Sequence, residues 1–122
     1  MPVAVGTVSA MNDDTLSLSQ PVRFYFHPTP NPMKVALLLE ELGAPYEIVP
    51  VDIFKGEQHA PAFREINPNG KVPALVDDGV ALFDSHAILI HLAEKHRRFF
   101  PPPGPASKAA RAATLSWLQL VA

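Results

Sequence analysis

The sequence predicts an α/β domain in which one mixed sheet is covered by helices. Val22–Phe26 reads as an aromatic-rich strand, and Val35, Leu38, Leu39 and Leu42 follow at i, i+3, i+4 and i+7, the apolar stripe of a helix. A second strand, Tyr46–Val51, comes after the helix stop at Gly43, so the three elements form a βαβ unit with a right-handed crossover. Farther on, Pro73–Val76 and Val80–Phe83 flank Asp77-Asp78-Gly79, a hairpin signal that adds antiparallel strands to the sheet.

The remaining elements fill in around these. Residues 1–20 are small and polar with no sustained period, and read as a flexible N-terminal extension. The first strand ends at His27-Pro28, and Thr29-Pro30-Asn31-Pro32 makes a tight connection with Asn31 as helix cap and Pro32 at the first helical position. Lys55 to Gln58 is a polar loop, and Pro61–Ile66 has room for one short helix. From Ser85 the pattern Ile88, Leu89, Leu92, Ala93 gives a helix that ends near Arg97 and Arg98, cations placed where the helix dipole favours them. The order β-α-β-α-β-β-α over residues 21–100 is that of a thioredoxin-like domain with a mixed four-stranded sheet. Residues 101–106 form a proline-rich linker. Residues 107–122 begin a further, alanine-rich amphipathic helix with Ala110, Ala113, Trp117 and Leu120 on one side, an apolar face without a partner that suggests a truncated segment.

Composition narrows the function classes. A chain of 122 residues has room for one domain and little more. A net charge of −2 provides no field for a polyanion, so no nucleic-acid partner is expected. No apolar run approaches the roughly 20 residues of a membrane helix, and the N-terminus lacks the basic-then-apolar order of a signal peptide, so a cytoplasmic protein is expected. The absence of cysteine excludes disulfides, thiolate-bound zinc and a cysteine nucleophile. The 14 prolines sit mostly at turns and helix starts, where they act as punctuation.

Asn67 to Ala87 is the stretch suited to hold a ligand. Gly70-Lys71-Val72-Pro73 is a turn feeding a strand; with a cis Val72–Pro73 bond, the Val72 backbone would face outward and could pair with an extended peptide. Asp84-Ser85 opens a helix, whose free N–H groups and dipole favour an anion. A ligand with a peptide unit at one end and a carboxylate at the other would satisfy both. His86, His91 and His96 recur every five residues, a rotation of about 140° per step, so they share no helix face and no metal is expected. Glu40-Glu41 and Asp77-Asp78 read as solvated acids. Tyr25, between Phe24 and Phe26, reads as a packing residue.

Three blocks carry a family pattern: Thr29–Val35 (TPNPMKV), Asn67–Asp77 (NPNGKVPALVD) and Leu82–Lys95 (LFDSHAILIHLAEK). Together they resemble the N-terminal domain of glutathione transferases, and most closely the branch containing the Nu class and the yeast prion-forming nitrogen regulator. The resemblance implies glutathione as co-substrate, no metal, and a homodimer. It implies either conjugation to an electrophile or glutathione-dependent reduction of a disulfide or peroxide; a non-catalytic binding or dimerisation module is the alternative. By position, Asp84 and Ser85 would take the γ-glutamyl end, with Asp84 replacing the more usual glutamate of that branch. Val72, before Pro73, would pair with the cysteinyl backbone, and Gln58 and Lys71 would hold the glycyl end. Thr29 and Asn31 would act on the sulfur as catalytic residues, with Tyr25 as their rival because other branches of the family use a tyrosine. The resemblance also makes residues 107–122 the first helix of the family's all-helical second domain.

Overall fold

The computed structural model describes Leu18 and residues 20–120, so the expected N-terminal extension lies almost wholly outside the described residues. The strands are β1 (Val22–Phe26), β2 (Tyr46–Pro50), β3 (Ala74–Asp77) and β4 (Val80–Phe83). The helices are α1 (Pro30–Leu42), α2 (Pro61–Ile66), α3 (Ser85–His96) and α4 (Lys108–Leu120). They form the expected thioredoxin-like arrangement, a mixed four-stranded sheet in the order β2-β1-β3-β4, followed by the start of a helical segment. β1 runs parallel to β2 and antiparallel to β3, and β3 is antiparallel to β4.

Side-chain alternation along β1 divides the core in two. Val22 and Phe24 point to one face of the sheet, where they pack with Val35 and Leu39 of α1, Leu75 of β3, and Ile88 and Leu92 of α3. Tyr25 points to the other face and packs with Val51, Phe63 of α2 and Ala74. Its ring lies 5.6 Å from that of Phe63, in keeping with a packing role. Deleting a fully buried side chain such as Leu39 or Ile88 would leave a cavity at a cost of about 2–5 kcal/mol.

Local boundaries show where backbone chemistry overrides pattern. The cap of α1 is Thr29, in extended conformation (φ −126°, ψ 165°), and not Asn31, because Pro30 already takes the first helical position. Pro32 also fits the first turn, where its missing N–H would have had no partner. α1 ends as expected at Gly43, whose φ of 63° suits a residue without Cβ. The polar loop after β2 is two single 3₁₀ turns, Ile53–Lys55 and Glu57–His59. Asp52 organises the first by accepting from the N–H groups of Phe54 and Lys55. The hairpin between β3 and β4 closes on Asp78 (φ 51°) and Gly79 (φ 77°), the positive-φ pair of a type I′ turn.

Asp77 corrects the reading of both acids in that turn as solvated. Its side chain is only 11 % exposed. It accepts hydrogen bonds from Lys95 Nζ at 2.8 Å and from His91 Nε2 at 2.7 Å, which join β3 to the last turns of α3. Lys95 and His91 lie four residues apart on one helix face, which lets them reach the same carboxylate. Burial disfavours the charged carboxylate, but the bonds from Lys95 and His91 outweigh it and hold the group below its ordinary value of 3.8. A depressed folded-state value gives stability that is present above 3.8 and lost as pH falls below it.

α4 packs its Arg111, Thr114, Leu115 and Leu118 side inward, and Thr114 and Leu118 border a small apolar cavity with Leu38, Leu89, Ile90, Ala93, Phe99 and Phe100. Arg111 reaches Glu94 at 3.1 Å and lies over the Phe100 ring. The opposite side, with Trp117 at 68 % and Leu120 at 70 % exposure, has no cover among the described residues. Asp77→Asn is expected to lower stability at neutral pH by about 1–2 kcal/mol, on the order of 5–10 °C in melting temperature. The difference from wild type should close as pH falls below 3.8; equal melting at pH 7 would contradict the clasp.

Candidate functional site

The sheet order brings three chain segments to one edge. β1 ends there, β3 begins there, and β4, antiparallel to β3, ends there, with Ala74 opposite both Tyr25 and Phe83. The start of α1, the turn before β3 and the start of α3 are thereby adjacent. Between them opens a groove of about 380 Å³, lined by Asn31, Asn67, Asn69, Lys71, Val72, Pro73, Phe83, Asp84 and Ser85.

One wall is the turn at residues 67–73. Asn67 is 2 % exposed and fixes the turn with both ends of its amide. Its Oδ1 accepts from the Asn69 N–H at 2.9 Å, and its Nδ2 donates to the Lys71 carbonyl at 2.8 Å. The Asn67 carbonyl also accepts from the Gly70 N–H, and Gly70 takes φ 62°, where a Cβ would meet the Gln58 carbonyl at 3.1 Å and Arg64 Nη2 at 3.2 Å. The Val72–Pro73 peptide bond is cis. β3 begins only at Ala74, and neither backbone group of Val72 pairs with another backbone group of the described residues. Lys71 is exposed at the groove and forms no ion pair among the described residues.

The facing wall is the N-terminus of α3. Asp84 caps it, its Oδ2 accepting from the Ala87 N–H at 3.2 Å, while its carbonyl accepts from Ile88. That leaves the N–H groups of Ser85 and His86 without an intrahelical partner, as in the first turn of any helix. Asp84 holds φ 77° and ψ 124°, a conformation that costs a non-glycine residue about 1–3 kcal/mol and concentrates at binding sites. Ser85 is 7 % exposed and borders the groove. The pairing of a pre-set peptide edge with a helix N-terminus can receive an extended backbone and a carboxylate together.

Of the residues the sequence singled out, Asn31, Lys71, Val72, Pro73, Asp84 and Ser85 come together here. Thr29 and Gln58 stand outside the lining. The Thr29 hydroxyl lies 3.3 Å from the His27 carbonyl and donates to it. Gln58 sits on the second 3₁₀ turn with its Oε1 buried and unpartnered among the described residues. His86 Nε2 is likewise buried without a partner. Sequence reasoning passed over Asn67, Asn69 and Phe83; the signal for Asn67 was its place two residues before Asn69 and three before Gly70, where asparagine closes its own turn. Among the described residues no three His, Asp or Glu side chains converge to hold a metal.

The groove thus joins a proline turn to a helix N-terminus on a thioredoxin-like domain. Residues 20–94 match the family model described as the glutathione S-transferase N-terminal domain. The chain belongs to the glutathione S-transferase family and lies near its Ure2 branch. It is 45 % identical over 104 residues to the disulfide-bond oxidoreductase YfcG of Escherichia coli K12, covering 80 % of this chain and 46 % of that protein. It is 43 % identical over 76 residues to the transcriptional regulator URE2 of Saccharomyces cerevisiae, covering 60 % and 22 %. Among solved structures, a glutathione transferase family member from Pseudomonas fluorescens with two glutathione bound superposes with TM-score 0.74 at 39 % identity, over 83 % of this chain and 45 % of that one. The chain thus spans less than half the length of these relatives.

If the buried amide shapes the groove wall, Asn67→Ala should cost about 1–3 kcal/mol of stability and expose the Asn69 amide to faster hydrogen exchange. Unchanged protection at Asn69 would show that the turn holds without it.

Proposed function

We propose that this chain binds glutathione in the groove, as the glutathione-binding part of a glutathione transferase or a glutathione-dependent disulfide or peroxide reductase. The observation that carries this reading is the conjunction of the free Val72 backbone with the α3 N-terminus across one groove. The γ-glutamyl carboxylate meets Ser85 Oγ and the free N–H groups of α3, and the Asp84 carboxylate takes the ligand's ammonium. The cysteinyl backbone pairs with Val72 against Pro73, and Lys71 and Gln58 hold the glycyl end. The sulfur then points toward the start of α1, where Asn31, with Thr29 behind it, supplies polar groups and a helix dipole that favour the thiolate over the thiol. Relatives of both kinds support the breadth of this statement, one a disulfide-bond oxidoreductase and others glutathione S-transferases.

The same reading assigns residues 21–100 to a glutathione-binding domain, 101–106 to a linker and 107–122 to the first helix of an all-helical domain that would carry most of the second-substrate pocket. A homodimer in the cytoplasm is the proposed setting. The alternative, a non-catalytic binding or dimerisation module, draws on one observation: the Thr29 hydroxyl is turned to the His27 carbonyl and not into the groove.

Two variants separate anchoring from activation. Ser85→Ala should weaken glutathione binding about tenfold, because a charge-assisted bond of about 1.5–3 kcal/mol is lost. Thr29→Ala with Asn31→Ala should spare affinity but raise the pKa of the bound thiol, moving thiolate absorbance to higher pH. A profile that stays fixed in the double variant while Tyr25→Phe moves it would transfer sulfur activation to the tyrosine. A profile that no variant moves would favour the non-catalytic module.

A further inference from the structure

Arg64 has no place in the glutathione contacts proposed above, yet it stands between two segments that do. Its Nη2 lies 3.0 Å from His59 Nδ1, and its Nη1 lies 3.1 Å from the Pro68 carbonyl. Guanidinium nitrogens only donate, so His59 Nδ1 accepts and its ring proton sits on Nε2. One planar group therefore joins the Glu57–His59 turn, which carries Gln58, to the residue 67–70 turn, which leads into Lys71 and Val72. The two turns meet at Gly70, whose α-carbon faces both the Gln58 carbonyl and the Arg64 guanidinium so closely that a methyl group there would touch each.

We propose that Arg64 is a positioning residue for the glycyl end of glutathione, acting by fixing the distance between Gln58 and Lys71 without touching the ligand. The proposal rests on the glutathione reading and adds to it a determinant of which end of the ligand is read. Both hydrogen bonds are exposed, so they contribute little to global stability. Their effect is local: a fork with two fixed donors holds two loops in register, which a single flexible ammonium cannot do. The γ-glutamyl end, held across the groove by α3, lies outside this bracket.

Calorimetric titration of glutathione and of γ-glutamylcysteine, the same ligand without its glycine, into the 122-residue chain tests this. Wild type should prefer glutathione. Arg64→Ala should weaken glutathione about tenfold while leaving γ-glutamylcysteine unchanged, with nearly unchanged melting temperature. Arg64→Lys, able to reach one partner but not both, should lose the preference as the alanine variant does, and it carries the same comparison if the alanine variant does not fold. Equal weakening of both ligands, no weakening of either, or a wild type without preference for glutathione would overturn the assignment of Arg64. A wild type that binds neither ligand would overturn the glutathione reading itself, and the role of Arg64 with it.

Discussion

The pairing of β1 with β3 is the constraint on which the rest of this domain depends. Phe24 opposite Leu75 puts two fully buried side chains on one face, where α1 and α3 close over them. Tyr25 opposite Ala74 does the same on the other face, where the small alanine leaves room for the tyrosine ring against Phe63. A slip of one residue would exchange the two faces and expose the larger core. Because the pairing is antiparallel, it also delivers the start of β3 to the end of β1. The groove is a consequence of that direction, since two helix N-termini and one turn cannot avoid meeting at the same edge.

The edge is polar for physical reasons. Helix starts leave N–H groups without partners, and the turn before β3 leaves the Val72 backbone unpaired among the described residues. Such groups must be satisfied by water or by a ligand. The domain devotes a buried amide, Asn67, to holding this turn open, and keeps Asp84 in an unfavourable conformation at the facing helix. At the opposite end of β3, the Asp77 clasp to His91 and Lys95 fixes α3 to the sheet, so the helix that presents Ser85 is anchored along its length.

Much of this was legible in the chain, because the signals were local. The stripe Val35, Leu38, Leu39, Leu42 ending at Gly43, and the Asp78-Gly79 turn, specify an element and its end within a few residues. The groove residues Lys71, Val72, Pro73, Asp84 and Ser85 were legible as a turn and a cap, and then as a family pattern. What was not legible depends on distance in space. Asp77 looks solvated beside Asp78 until α3 brings Lys95 across to it. Asn31 looks like the cap of α1 until Pro30 is seen to occupy the first turn already. The Thr29 hydroxyl bonds to the backbone two residues earlier, and Gln58 stands outside the groove lining, neither of which any spacing rule encodes.

The central claim, that a glutathione molecule lies with its carboxylate on the α3 N-terminus and its backbone along Val72, is tested most directly by amide chemical shifts. In a titration of the isotopically labelled chain with glutathione, the amides of Val72, Ser85 and His86 should shift together and saturate with one dissociation constant. Those of Ile48 and Glu47, on the outer strand β2, should stay in place. Shifts that never saturate, or that saturate only at residues away from the groove, would contradict it.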